Sequence, residues 1–166
     1  MTFQSFRRGY ERVLEWICIV LMAALAAEVA AGVVFRYSGH SLVWYDEVAT
    51  ILLAWVTFYG AALAVLKHAH MGVPEIVRML PPALRVVAAT VAQLCTLAFF
   101  VLLAWVGYTI LEILASDRLV SLPEVSVAYA NSVIPISAVL FIVGQILVFP
   151  EVVREARREQ AAGAHA

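Results

Sequence analysis

Apolar positions run in long blocks along this chain, divided by short polar stretches, and no block alternates every second residue. Trp16 to Phe35 holds one charged residue, Glu28, while Val48 to Leu66, Val86 to Leu111 and Val125 to Phe149 hold none. A run of about 20 apolar residues crosses the ~30 Å hydrocarbon core as an α-helix. Backbone groups in lipid need internal partners, which a helix supplies, and the alternating pattern of a membrane barrel strand is missing. The pattern predicts an all-α, polytopic membrane protein. It forms a single membrane domain over 1–166, with four transmembrane helices at about 13–36, 44–67, 84–113 and 126–150 and a tail over 151–166.

The connections carry pattern of their own. Pro74 can open a helix, Val73, Ile76, Val77 and Leu80 repeat at helical spacing, and Pro81-Pro82 stops it. This predicts a short amphipathic helix at about 73–80, lying on the membrane surface between helices 2 and 3. Asn131, Ser132 and Pro135 predict a kink in the last helix with the polar side chains turned inward. Trp55 lies mid-block, where its indole N–H needs a partner, so it is expected to face protein rather than lipid.

Charge orients the bundle. Nine of the eleven Lys and Arg residues fall before the first helix, in the middle connection or in the tail; Arg36 and Arg118 are the exceptions. The positive-inside rule then places both termini in the cytoplasm. Tyr37, Trp44, Tyr45, Trp105, Tyr108 and Tyr129 would anchor the outer interface and Trp16 and Phe149 the inner one. With 64% apolar and 14% charged residues, nothing is left for a soluble domain. A net charge of −1 without a basic stripe sets nucleic acid aside and leaves membrane lipids as the surroundings. The first block follows Arg7 and Arg8, yet its 20 residues exceed the ~7–15 of a signal-peptide core, so it is expected to stay as a helix.

Candidate chemistry is sparse. Cys18 and Cys95 are isolated within apolar blocks, as buried hydrophobes are. His40, His68, His70 and His165 lie in connections or the tail, not inside helices where haem ligands would sit. No metal or cofactor is expected in this chain, nor a nucleophile paired with a base. Glu28 stands out, because a carboxylate in the apolar span costs about 2.5 kcal/mol or more. Three readings stay open for it: a hydrogen-bonded or protonated interface residue, an ion or proton site, or a shallow residue reaching the headgroups. Asp46 and Glu47 are expected to favour the start of a helix. Ala23, Ala27 and Ala31, and Gly60 with Ala64, form stripes of small residues that let helices approach closely.

One string of motifs is more specific. Phe35-Arg36-Tyr37 is followed by Ser41-x-x-Trp44-x-Asp46-Glu47, then Trp55-x-x-Phe58-x-Gly60-Ala61-Ala62, Lys67 and His70, and later Leu122-Pro123, Tyr129 and Pro135. Over about residues 10 to 150 this resembles the small membrane subunit, DctQ type, of tripartite ATP-independent periplasmic (TRAP) transporters. Pro74 and Glu75 depart from the family where an acid commonly follows the His, and Val125 and Ser126 where a Trp is usual.

The resemblance implies a non-enzymatic subunit of the bacterial inner membrane. It would brace a large multi-helix subunit that carries the sodium sites and moves an organic acid, and it would help dock a periplasmic substrate-binding protein. Glu28, Arg36, Trp44, Asp46, Glu47, Trp55, Gly60 and His70 would then be subunit-interface or anchoring residues. Two other classes compete on the residues alone: a small homodimeric proton-coupled exporter using Glu28, and a membrane anchor of a respiratory enzyme.

Overall fold

Helix α1, Thr2–Tyr37, begins well before the apolar block does. The structure, a computed structural model, describes residues 2–40, 42–67 and 81–163. The expected surface helix at about 73–80, together with Ser41, His68 and His70, lies outside the described residues. The lead-in to α1 contains no proline, and it has something to bind. Arg7 donates to the carbonyl of Leu66 at 3.0 Å and the Tyr10 hydroxyl to that of Leu140 at 2.7 Å. These contacts, absent from any local pattern, extend the helix past its apolar core. At its other end α1 stops on a left-handed glycine. Gly39 has φ +81°, its N–H bonds the Arg36 carbonyl, and the His40 N–H reaches back to Phe35, the paired closure that satisfies the last carbonyls of a helix.

Helices α2, Tyr45–Leu66, and α3, Pro82–Leu114, follow the second and third apolar blocks. The fourth block is divided into α4, Val127–Asn131, and α5, Val133–Gly163. Pro135 supplies no N–H for the Asn131 carbonyl, and the polar residues at the break turn back onto the chain. The Asn131 amide donates to the Val127 carbonyl at 3.1 Å and the Ser132 hydroxyl to that of Tyr129 at 2.7 Å. Beyond Phe149, where a tail was expected, helix continues to Gly163; the stretch is rich in Glu, Arg, Gln and Ala, all strong helix formers.

Among the described residues, four helical segments are long and apolar enough to cross a membrane: Ser5–Tyr37, Tyr45–Leu66, Thr90–Leu114 and Val127–Phe149. They pack side by side in the order α1, α2, α5, α3, with α2 antiparallel to α1, α5 antiparallel to α3, and α2 and α5 running parallel to each other, so the first and last helices begin and finish at one end of the bundle. There Lys67, one residue past α2, pairs with Glu15, whose hydrogen bond and negative charge push the lysine pKa up.

The row is uneven. Half of the most apolar stretch of Val127–Phe149 is buried, against none of that in Ser5–Tyr37 and 6% of that in Thr90–Leu114. The core lies where α5 meets α2: Ala62, Val65 and Leu66 pack on Phe141, Leu147 and Val148, with Leu14 of α1 closing over them. Phe100 of α3 stacks on Phe141 with ring centroids 3.5 Å apart.

Close approaches occur at glycines. A Cβ at Gly107 would lie 3.1 Å from Ile134 and 3.2 Å from Pro135, and one at Gly32 would overlap the Tyr45 ring. The expected small-residue stripes are used differently. Gly60 has nothing within 4 Å of its Cβ position, and Ala23 and Ala27 are exposed while Ala31 and Ala64 are partly buried, so among the described residues neither stripe is covered along its full length.

The Gly32 contact yields a test. Gly32→Leu is expected to lower the melting temperature in detergent by displacing the Tyr45 ring, and the loss should be much smaller in a Tyr45→Ala background. Equal losses in both backgrounds would show that the ring is not what Gly32 accommodates.

Candidate functional site

The end of the bundle away from the chain termini collects most of the candidate residues. Its centre is Glu47, in the first turn of α2. A carboxylate there is favoured by the helix dipole, but the side chain does more than neutralise its own helix. One oxygen accepts the Val120 N–H at 3.1 Å and the other the Ser121 N–H at 2.8 Å. Glu47 thus holds the connection between α3 and α4 from 73 and 74 residues away. The Ser121 hydroxyl adds a bond to the Val43 carbonyl at 3.3 Å.

That connection is itself a small hairpin. Arg118 and Ser126 form an isolated antiparallel bridge, flanked by bonds from the Leu119 N–H to Val125 and from the Val127 N–H to Asp117, both 3.0 Å. Ser126, 6% exposed, ties the hairpin to both neighbours. Its oxygen accepts the Ala128 N–H at 3.2 Å, capping α4, while its hydroxyl donates to the Leu114 and Ala115 carbonyls at the end of α3. The sequence marked Ser126 only as a departure from the family pattern, although a serine directly before a helical run is a capping signal. It carries no local signal for the backbone of Val120 and Ser121.

Beside this clamp lies an open cavity of about 450 Å3 lined by Gly32, Val33, Arg36, Leu42, Val43, Tyr45 and Asp46. Arg36 and Asp46 bring opposite charges to one space, and among the described residues no ion pair joins them. Trp44 stands at the N-cap of α2 without a side-chain cap bond, and its carbonyl receives the Val48 N–H at 3.1 Å. The Trp55 indole N–H, expected to face protein, donates to the Ala130 carbonyl at 3.0 Å. It therefore joins α2 to α4 just before the helix break.

Arg36, Trp44, Asp46 and Glu47 thus come together at one end, with Trp55 below them. Gly60 lies farther down α2 with open space at its Cβ position, and His70 is outside the described residues. Glu28 lies one turn before Gly32, on the face of α1 that meets Tyr45, and its Oε1 is enclosed with no hydrogen-bond partner among the described residues. The arrangement fixes a loop and presents charges. No group of three or more His, Cys, Asp or Glu side chains that could hold a metal occurs among the described residues.

Residues 25–155 match the family described as tripartite ATP-independent periplasmic transporters, DctQ component. The chain is similar to the C4-dicarboxylate TRAP transporter small permease protein DctQ of Vibrio cholerae, 32% identical over 94 residues, which are 56% of this chain and 40% of that protein. It is also similar to a Haemophilus influenzae protein provisionally named a TRAP transporter small permease. That identity is 34% over 82 residues, 48% of this chain and 50% of the relative. The chain thus spans half or less of the length of these curated relatives.

Two measurements probe the clamp. Glu47→Ala should speed hydrogen exchange at the Val120 and Ser121 amides by roughly tenfold or more, since both lose a charged acceptor, while amides in the middle of α3 stay unchanged. Trp55→Phe keeps the ring and removes one hydrogen bond. It should destabilise the protein by about 1 kcal/mol in chemical unfolding in mixed micelles, and no measurable change would show that the Ala130 carbonyl finds another donor.

Proposed function

We infer the function from one premise: the chain belongs to the DctQ component family of tripartite ATP-independent periplasmic transporters, whose match covers residues 25–155. It is a multi-pass membrane protein and a small permease subunit of such a transporter. In our reading it carries no catalysis of its own. It braces a large multi-helix subunit that couples sodium entry to uptake of an organic acid, and its loop-bearing end faces the periplasm, where a substrate-binding protein docks. The name of the Vibrio relative, which specifies C4-dicarboxylates, supports an organic-acid cargo.

Physical arguments support a static role. A moving carrier needs a neighbour that does not move, and Glu47, Ser126 and Trp55 cross-link α2, α3 and α4 at one end. A solute path needs converging polar groups within the membrane, whereas the carboxylate in α1 has an enclosed oxygen that meets no partner. That enclosure also counts against an exporter that would load and unload protons at Glu28. The concentration of nine of the eleven basic residues in the termini and middle connection supports cytoplasmic termini in the inner membrane. The open cavity with Arg36 and Asp46 on its wall supports a polar contact with the soluble partner.

Affinity purification of the tagged chain from native membranes, in mild detergent, should bring down a much larger polytopic protein in stoichiometric amount. Recovery of the chain alone as a homo-oligomer would refute the reading. Within the complex, Arg36→Ala and Glu47→Ala are each expected to reduce uptake or co-purification; unchanged values for both would remove the loop-bearing end from the working surface.

A further inference from the structure

At the opposite end of the bundle, a cleft between α3 and α5 holds two amide side chains with nothing to bind. Gln93, Leu94 and Leu97 form one wall and Gln145, Ile146 and Phe149 the other, the same i, i+1, i+4 set on each helix. Gln145 is 7% exposed, and among the described residues neither glutamine has a hydrogen-bond partner. Both lie inside the apolar spans, three residues from the start of Thr90–Leu114 and four from the end of Val127–Phe149, about 5–6 Å along the helix.

A primary amide brings two donors and an acceptor oxygen, and unpaired polar groups at this depth are unfavourable. The cleft is about 210 Å3, below the ~300–1,000 Å3 usual for small-molecule pockets; it suits one or two side chains. Its rim is apolar and open, with Leu94 55% and Ile146 58% exposed. An acyl chain would leave both amides unbonded. A lipid ester carbonyl would accept from their N–H groups and leave both amide oxygens unbonded. A hydroxyl or amide side chain on a helix both donates and accepts, which is how polar residues join helices in membranes.

We propose that this cleft receives a transmembrane helix of the large transport subunit, whose Ser, Thr, Asn or Gln side chain enters between Gln93 and Gln145 and bonds both. The proposal rests on the functional reading above, in which such a subunit exists, and adds which face of the bundle it covers.

The test compares the wild-type chain with Q93L/Q145L, co-expressed with its native membrane partners and purified in mild detergent. Leucine fills similar volume without polar atoms, so the variant chain expressed alone should melt at the same temperature or higher. In the complex it should retain roughly tenfold less of the large subunit, the order expected of two interhelical hydrogen-bonding side chains. A photo-crosslinking residue replacing Ile146 should give a covalent adduct with that subunit.

Wild-type capture of the large subunit with equal capture by Q93L/Q145L overturns the proposal and leaves the functional reading standing. So does native mass spectrometry showing a phospholipid adduct lost in the variant while the large subunit is kept. A wild-type chain that captures no large subunit overturns both.

Discussion

An unpaired polar group in hydrocarbon is more unfavourable than a well-packed apolar contact is favourable, and this asymmetry governs the whole chain. It makes each span a helix, since only there does every carbonyl find its donor. It also dictates what happens where helices end or break. The break between α4 and α5 leaves carbonyls without N–H partners, and the Asn131 amide, the Ser132 hydroxyl and the Trp55 indole all turn to carbonyls of α4. The hairpin after α3 would expose the Val120 and Ser121 N–H groups, and Glu47 accepts both. At the loop-bearing end, polar side chains gather where the backbone fails to satisfy itself.

The same asymmetry explains the shape. Inside a membrane the tails are as apolar as leucine, so helices gain little by hiding apolar faces from lipid and associate through close packing and polar contacts. The chain closes up along the contact of α2 with α5, where Ala62 and Gly144 bring the helices near, along α3, where Phe100 meets Phe141, and along the seam of α1 with α2, where Gly32 admits the Tyr45 ring. The outer helices stay largely uncovered. An open row of helices offers broad faces to neighbours, which a closed bundle of equal size would not.

The architecture was legible because it depends on length and apolarity, properties that each segment carries by itself. Four charge-poor blocks gave four spans, and an indole buried mid-block announced that it needed an acceptor. The helix extension at Thr2 was not legible, because its cause is a set of contacts across the bundle, Arg7 to Leu66 and Tyr10 to Leu140. Glu47 shows the same limit. Its place in a first turn suggested service to its own helix, whereas its partners lie more than 70 residues away. The small-residue stripes are legible only in part: spacing marks a face fit for close approach without saying whose helix approaches, and among the described residues the Cβ position of Gly60 meets open space. Of the candidate residues, Arg36, Trp44, Asp46 and Glu47 were grouped by motif and are grouped in space, because a short connection keeps sequence neighbours together.

Glu28 brings these strands together. It stands on the seam between α1 and α2, one turn from the Gly32 position that Tyr45 overlies, and one of its oxygens is closed off without a partner. Opening the seam to lipid would leave the same group unpaired among acyl chains, so this carboxylate favours keeping α1 and α2 together. Clamped on one side by Arg7 at the Leu66 carbonyl and by Lys67 at Glu15, and set on the other by the ring of Tyr45, the seam is braced above and below its one awkward group. The polar residue that is hardest to accommodate thus stands where the two helices are held at both ends.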